Sequence, residues 1–229
     1  MLKTAFPSGE AVFLCSKCEL AGMLSGQTTP WVFASHNAHK VKEMQEILAA
    51  WAAVEGLEAI GCGHDVVEDA PTLEGNALLK VAHLRDVHGR EGFADDTGLE
   101  VEALGGSPGV HSARWSGEGS EGNIRKLLAE LERVGARGRE ARRARFRTVV
   151  ASSIGGELWW VEGTVEGHIA EAPRGAGGFG YDPVFVPDGE ERTFAELAAS
   201  EKHAIGHRGR AARAFVARLH EVLGAASGG

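Results

Sequence analysis

The strongest constraint on this chain is a change of hydrophobic period that begins at Trp31 and then recurs. The apolar run Trp31–Ala34 passes through Ser35-His36-Asn37 into a segment where Val41, Met44, Ile47, Leu48 and Trp51 return at helical spacing, which predicts strand, polar turn, helix. A second strand is expected at Leu57–Ile60, followed by a helix from about Thr72, a good capping residue, carrying Leu78, Leu79, Ala82 and Leu84. That β-α-β-α order points to an α/β fold.

Farther on, Gly92–Asp95 reads as a strand end, Leu99–Leu104 alternates, and Gly105–Gly109 is a Gly/Ser/Pro turn. A helix is expected near Glu121–Val134, then a hairpin in which Phe146–Ser152 meets Leu158–Thr164 across Gly155-Gly156. The run Gly175–Gly180 is too rich in glycine for a regular element, so its backbone turns sharply or approaches something closely. Phe215, Leu219, Val222 and Leu223 mark a final helix.

Residues 1–29 hold no sustained period and contain Pro7, Gly9, Gly22 and Gly26, so they read as an appendage to one domain over 30–226. A chain of 229 residues buries a sizeable core without staples. Its net charge of −8 argues against a protein that holds nucleic acid by neutralising phosphates, while a local cluster of cations could still hold a small anion. The Arg-rich stretch from Arg137 to Arg147 reads first as a solvated linker and strand entry. No run of about 18 apolar residues is present for a membrane span, and the short Ala11–Cys15 segment makes no signal sequence. Three cysteines suit a reducing compartment, and the cytoplasm is the expected location. Cys15 and Cys18 could begin a zinc site completed by Cys62 and His64, but without a second C-x-x-C an incidental pair is the better reading.

Five segments carry candidate chemistry. Ser35-His36-Asn37-Ala38-His39-Lys40 lies where a strand becomes a helix, a place that offers N–H groups and a favourable dipole to an anion, with Lys40 adding a charge. Helix capping by Ser35 or Asn37 is the plainer account. Ala94-Asp95-Asp96-Thr97-Gly98 sets two carboxylates side by side at an expected turn, free to diverge into separate roles. Glu68 precedes the second helix and, with Asp96, suffices for Mg²⁺, which takes one or two protein carboxylates and completes its shell with water and phosphate. In Gly178-Phe179-Gly180-Tyr181-Asp182-Pro183 an aromatic ring between glycines suits purine stacking, worth about 1–3 kcal/mol by analogy with single-strand binders, and Asp182 could accept from a base N–H. Lys202, His207 and Arg208 gather cations where the last helix begins, against its dipole, which makes sense if an electron-rich acceptor lies among them. A 6-oxo purine is such an acceptor, whereas adenine's 6-amino group would set donor against donor.

In order, these segments resemble the inosine triphosphatase family of non-canonical purine NTP pyrophosphatases. The resemblance runs from about Trp31 to the C-terminus through S-H-N-x-x-K, E-G-N-A-x-x-K (Glu74–Lys80), A-D-D-T-G-L, G-G-x-P-G-V-x-S-A-R-W-S-G, G-G-F-G-Y-D-P and E-K-x-A-I-x-H-R-G. It implies a curved mixed sheet flanked by helices, two lobes around a cleft, a homodimer, and hydrolysis between the α and β phosphates. It also implies that Ser35–Lys40 holds the triphosphate, that Asp96 is proton acceptor and metal ligand, that Thr97 lies beside the substrate, and that Phe179–Asp182, Lys202, His207 and Arg208 form the base pocket. Asp95 is placed with Asp96 and Lys40 among the catalytic groups, and Mg²⁺ is the expected cofactor. Ser35-His36 stands where the family usually has Thr-Gly, so the phosphate loop is expected to differ in detail. A nucleotide sensor without catalysis, and a pyrophosphatase of the Maf-like group acting on pyrimidine or modified nucleotides, are the alternatives. The paired acids disfavour the first and the Lys202, His207, Arg208 set disfavours the second.

Overall fold

The computed structural model describes residues 30–63 and 66–226. The expected appendage over 1–29, with Cys15 and Cys18, and the proposed ligand His64 lie outside the described residues. The strands are β1 (Trp31–Phe33), β2 (Val54–Gly56), β3 (Gly92–Val101), β4 (Pro108–Gly109), β5 (Arg143–Ser152), β6 (Trp159–Ile169) and β7 (Phe185–Pro187). The helices are α1 (Ala38–Leu48), α2 (Leu73–His88), α3 (Gly119–Arg133), α4 (Gly138–Ala141), α5 (Ala199–Ile205) and α6 (His207–Ala226). All strands join one mixed sheet in the order β2-β1-β3-β5-β6-β7, with β4 on the side of β3. Strand β1 pairs in parallel with β2 and β3, and the other pairings are antiparallel. The mixed α/β sheet is the one the sequence resemblance implies.

Alternation along the strands divides the apolar residues between two faces, as a period of two requires. Trp31, Phe33, Phe93 and Val150 pack with Met44 and Leu48 of α1 and Phe215 and Leu219 of α6. Their neighbours Val32, Ala34, Ala94, Val149 and Ala151 face α2 through Leu73, Ala77, Val81 and Leu84. Farther along the same long strands, Leu99, Val101, Phe146 and Val165 form a third core with Leu127 and Leu131 of α3 and with Phe185 and Phe194. The cleft is lined from the second and third of these cores, by Ala34, Leu57 and Leu84 and by Phe146 and Tyr181. No described helix is long and apolar enough to cross a membrane.

Three local expectations need correction. Leu57–Ile60 is a short 3-10 turn closed by Gly61 in the left-handed region at φ 72°, and the strand lies just before it at Val54–Gly56. Thr72 does cap α2 by accepting from the Gly75 N–H at 3.1 Å, but its buried stripe is Leu73, Ala77, Val81 and Leu84, with Leu79 exposed. The segment Ala94–Gly98 is no turn. It is the middle of β3, continuous through Val101, because each residue finds a ladder partner on β5 from Phe93↔Ser152 to Val101↔Ala144. The hairpin across Gly155-Gly156 is present as expected and longer at the end away from the turn, reaching back to Arg143 and on to Ile169. Within it, Gly163 lets α6 lie against the sheet, since a Cβ there would overlap the backbone of His207 and Ala211.

Candidate active site

Because Asp95 and Asp96 are consecutive residues of a strand, their side chains leave opposite faces of the sheet. Asp95 joins the α1 and α6 side. Its Oδ1 accepts from Lys40 Nζ at 2.8 Å, and its Oδ2 accepts from Arg208 Nε and Nη2 at 3.1 and 3.0 Å and from the Thr97 hydroxyl at 3.2 Å. Burial alone would push this carboxyl up, but Lys40 and Arg208 beside it hold it well below the usual carboxylate range. Asp96 joins the α2 side. Its Oδ2 accepts from Asn76 Nδ2 at 3.1 Å, its Oδ1 accepts from the Thr97 N–H at 3.0 Å, and Lys80 Nζ stands 3.8 Å from Oδ1. Burial raises the Asp96 pKa; Lys80 and Lys40 oppose the rise, and Glu68 adds to it. Adjacent acids thus acquire different jobs, a structural hub and a carboxylate facing the cleft.

The loop before α1 is held by its own side chains. Asn37 Oδ1 accepts from the His39 and Lys40 N–H groups at 3.1 and 3.2 Å, and Ser35 Oγ accepts from the Asn37 N–H at 3.2 Å. The plainer capping account is therefore what is observed: those N–H groups are engaged within the loop. An anion would meet Ser35, Asn37 and the Lys40 ammonium, which keeps two hydrogens after its bond to Asp95. Burial lowers the Lys40 pKa, against the pull of Asp95.

At the other end of the cleft, the backbone around Phe179 is fixed by Asp182, whose Oδ2 accepts from the Phe179 N–H at 2.8 Å and from Lys202 Nζ at 2.7 Å. This oxygen is engaged within the protein, and Asp182 also lines the cleft. Lys202 also pairs with Glu43 Oε1 at 3.0 Å, and Arg208 Nη1 donates to Glu43 Oε2. Asp182, Lys202, Glu43, Arg208, Asp95 and Lys40 thus form a chain of alternating sign from the base end to the phosphate loop. The cations at the start of α6 are neutralised by carboxylates from α1 and β3, which resolves most of the conflict with the helix dipole.

One donor remains on each of two groups. Lys202 has three N–H bonds and gives two to Asp182 and Glu43. Arg208 has five: Nε goes to Asp95, Nη2 serves Asp95 and Thr97, and Nη1 gives one to Glu43. Their cationic groups lie 5.0 and 5.5 Å from the Phe179 ring centroid. His207 is buried, stacked on Phe146 at 4.4 Å, and its Nδ1 has no hydrogen-bond partner among the described residues. Burial and the neighbouring Arg208 and Lys202 hold its pKa well below the ordinary value, so the imidazole is neutral.

These groups line one cleft of about 680 Å³, together with Glu68, Asp96, Thr97, Gly180 and Tyr181. Asp95 lies beneath its floor. The Tyr181 hydroxyl donates to the Ser112 carbonyl at 3.0 Å and ties the aromatic segment to the α3 side. Ala38 is exposed in the first turn of α1, and His39 meets Phe179. Sequence reasoning missed Glu43, and it quoted Asn76 and Lys80 within the Glu74–Lys80 motif without giving them a role. Lys40, Glu43 and Ile47 recur at i, i+3 and i+7, which sets a carboxylate at the edge of the apolar stripe, and Asn76 and Lys80 share a face at i, i+4. Those spacings were the available signal. In the Arg-rich stretch, Arg143 pairs with Asp188, Arg145 with Glu100, and Arg147 with Glu74, Glu100 and Glu162.

For a divalent cation, Glu68 and Asp96 are the candidate donors, and both face Lys80, at 2.9 and 3.8 Å. The two carboxylates already attract a cation between them, and two hard oxygen donors fit Mg²⁺, which fills the rest of its shell with water and phosphate. No group of three or more metal-ligating side chains stands among the described residues.

Residues 31–218 match the model of the Ham1 family. The chain is 47% identical over 194 residues to a dITP/XTP pyrophosphatase of Porphyromonas gingivalis, covering 84% of this chain and 96% of that protein. It is 45% identical over 181 residues to a dITP/XTP pyrophosphatase of Bacillus subtilis, covering 77% and 90%. The Staphylococcus aureus Ham1 protein superposes with a TM-score of 0.73 at 36% identity, covering 84% of this chain and 99% of that one.

Proposed function

The chain belongs to the Ham1 family, and from that premise we propose that it hydrolyses non-canonical purine nucleoside triphosphates, dITP, ITP and XTP, to the monophosphate and pyrophosphate. The observation that carries this reading is the pair of remaining donors, one on Lys202 and one on Arg208, close to an aromatic platform. A 6-oxo group accepts from both. Adenine would present its 6-amino group to them and leave buried donors unpaired, the situation in which a hydrogen-bonding site discriminates most strongly.

With the base on Phe179, the phosphates lie toward Lys40, Asn37 and Ser35. Asp96 takes the proton from the attacking water as its oxygen bonds the α-phosphorus. The bond from that phosphorus to the α,β-bridging oxygen then breaks and pyrophosphate leaves. Lys40 offers its two free hydrogens to the charge developing on the leaving group. Asn76 and the Thr97 N–H hold the Asp96 carboxylate in place, and Lys80 fixes Glu68 next to it. When bound by Asp96 and Glu68, Mg²⁺ supplies Lewis-acid neutralisation of the phosphate oxygens. Asp95 is a positioning residue that holds Lys40 and Arg208 through one carboxylate.

The test is a product assay over ITP, XTP, GTP, ATP, dTTP and UTP with and without Mg²⁺. The reading expects pyrophosphate from ITP and XTP, Mg²⁺ dependence, and far slower turnover of ATP. Unaltered triphosphate, or ATP cleaved as fast as ITP, overturns it. Guanine shares the 6-oxo group, so GTP reports on the surroundings of the 2-position. Sedimentation of the full chain tests the homodimer that the resemblance implies.

A further inference from the structure

The Phe179 ring is not bare. The imidazole of His39 lies 5.4 Å from it, centroid to centroid, and 17° off parallel, the arrangement a stacked base would take. The Phe179 side is anchored: Asp182 accepts from its backbone N–H, and Gly178 and Gly180 on either side adopt the left-handed region at φ 69° and 63°. His39 is exposed, and its backbone is held by the Asn37 cap while its side chain is free to change rotamer. His39 and Glu43 stand four residues apart in α1 and so share one helix face. Glu43 holds Lys202 and Arg208, so one helix carries both the imidazole that meets Phe179 and the carboxylate that fixes the two cations 5.0 and 5.5 Å from the ring centroid.

Building on the pyrophosphatase reading, we infer that His39 is the second wall of the base site, a movable ring that packs on Phe179 when the base is absent and stacks on the outer face of the purine when it is present. Two aromatic contacts of about 3.5 Å each need the rings about 7 Å apart. The observed 5.4 Å therefore opens by about 1.5 Å, which a rotamer change of an exposed side chain provides. Opening costs the His39–Phe179 stack and forms two stacks on the purine, so the net gain from His39 is the excess of its stack on the larger bicyclic purine over its stack on the phenyl ring. His39 belongs to the loop assigned to phosphate, but this geometry gives its side chain to the base.

The experiment separates base from phosphate, using the full chain, IMP as the ligand with a base and inorganic tripolyphosphate as the ligand without one. His39→Ala is expected to weaken IMP by up to about 5-fold, the largest difference between two aromatic pairs, and to leave tripolyphosphate affinity unchanged. His39→Phe is expected to restore IMP binding. An unchanged or tighter IMP complex in His39→Ala overturns the inference, as does tripolyphosphate weakened as much as IMP. A wild-type protein that fails to hydrolyse ITP overturns the pyrophosphatase reading and this inference together. An active wild type with an indifferent His39→Ala overturns the inference alone.

Discussion

Replacing Glu43 with Gln removes one charge from the centre of the buried chain. Glu43 is 8% exposed and bonds both Lys202 and Arg208. Burial would raise its pKa, but the two cations win and lower it from 4.5 to about 2. At about 1.36 kcal/mol per pH unit, that drop contributes about 3 kcal/mol of stability at neutral pH. The range of about 3–5 kcal/mol for breaking a buried pair agrees. A carboxyl depressed in the folded state stabilises above its unfolded pKa and loses that contribution as pH falls through its folded pKa. The difference between wild type and Glu43→Gln should therefore be full above about pH 5 and shrink to about 1.4 kcal/mol near pH 3. Urea denaturation at the two pH values measures it as a change in midpoint at constant slope. Equal midpoints at pH 7, or a difference that does not shrink in acid, would refute the electrostatic account of this residue. ITP hydrolysis by the same variant should lose selectivity over ATP, since Lys202 and Arg208 lose the carboxylate that aims their remaining donors.

Asp96→Asn should lower kcat/KM for ITP by about 10²- to 10⁴-fold with nucleotide binding still measurable by calorimetry; most of the activity retained would remove its role as base. Burial raises the Asp96 pKa above its ordinary value while Lys80 opposes the rise, so in the metal-free protein Lys80→Met should move the Asp96 titration to higher pH, read by carboxylate NMR; an unmoved or lowered titration would refute the opposing role of Lys80. Phe179→Ala should raise KM for ITP by about 5- to 150-fold, the equivalent of about 1–3 kcal/mol of stacking, with kcat less affected. Gly163→Ala forces a Cβ into the α6 backbone and should destabilise by about 1–3 kcal/mol in urea titration, raising KM through displaced His207 and Arg208.

Long elements with a regular period were legible: α1, α3, α6 and the β5–β6 hairpin follow from spacing and turn glycines that act within a few residues. Short elements were not. A four-residue apolar segment at Leu57–Ile60 has no period to read, and the Asp-Thr-Gly composition of Ala94–Gly98 favours a turn until ladder partners on β5 outweigh it. Of the candidate site, the ordered motifs brought the cleft-lining residues into view, while Glu43 passed for an ordinary surface carboxylate of a helix.

What the sequence determined by itself is the set of chemical types and their order along the chain, which is enough for the family and for the division into a phosphate end and a base end. The tertiary structure alone decided how those groups share one another. Arg208 meets Glu43 and Asp95 across separations of 165 and 113 residues, and which of its five hydrogens is left for a base depends on distances that no local pattern encodes. The strand period sends Asp95 and Asp96 to opposite faces, so neighbours in sequence become a buried hub and a reactive carboxylate. Burial, which changes the charge balance of each, is a property of what packs around a residue and not of its type.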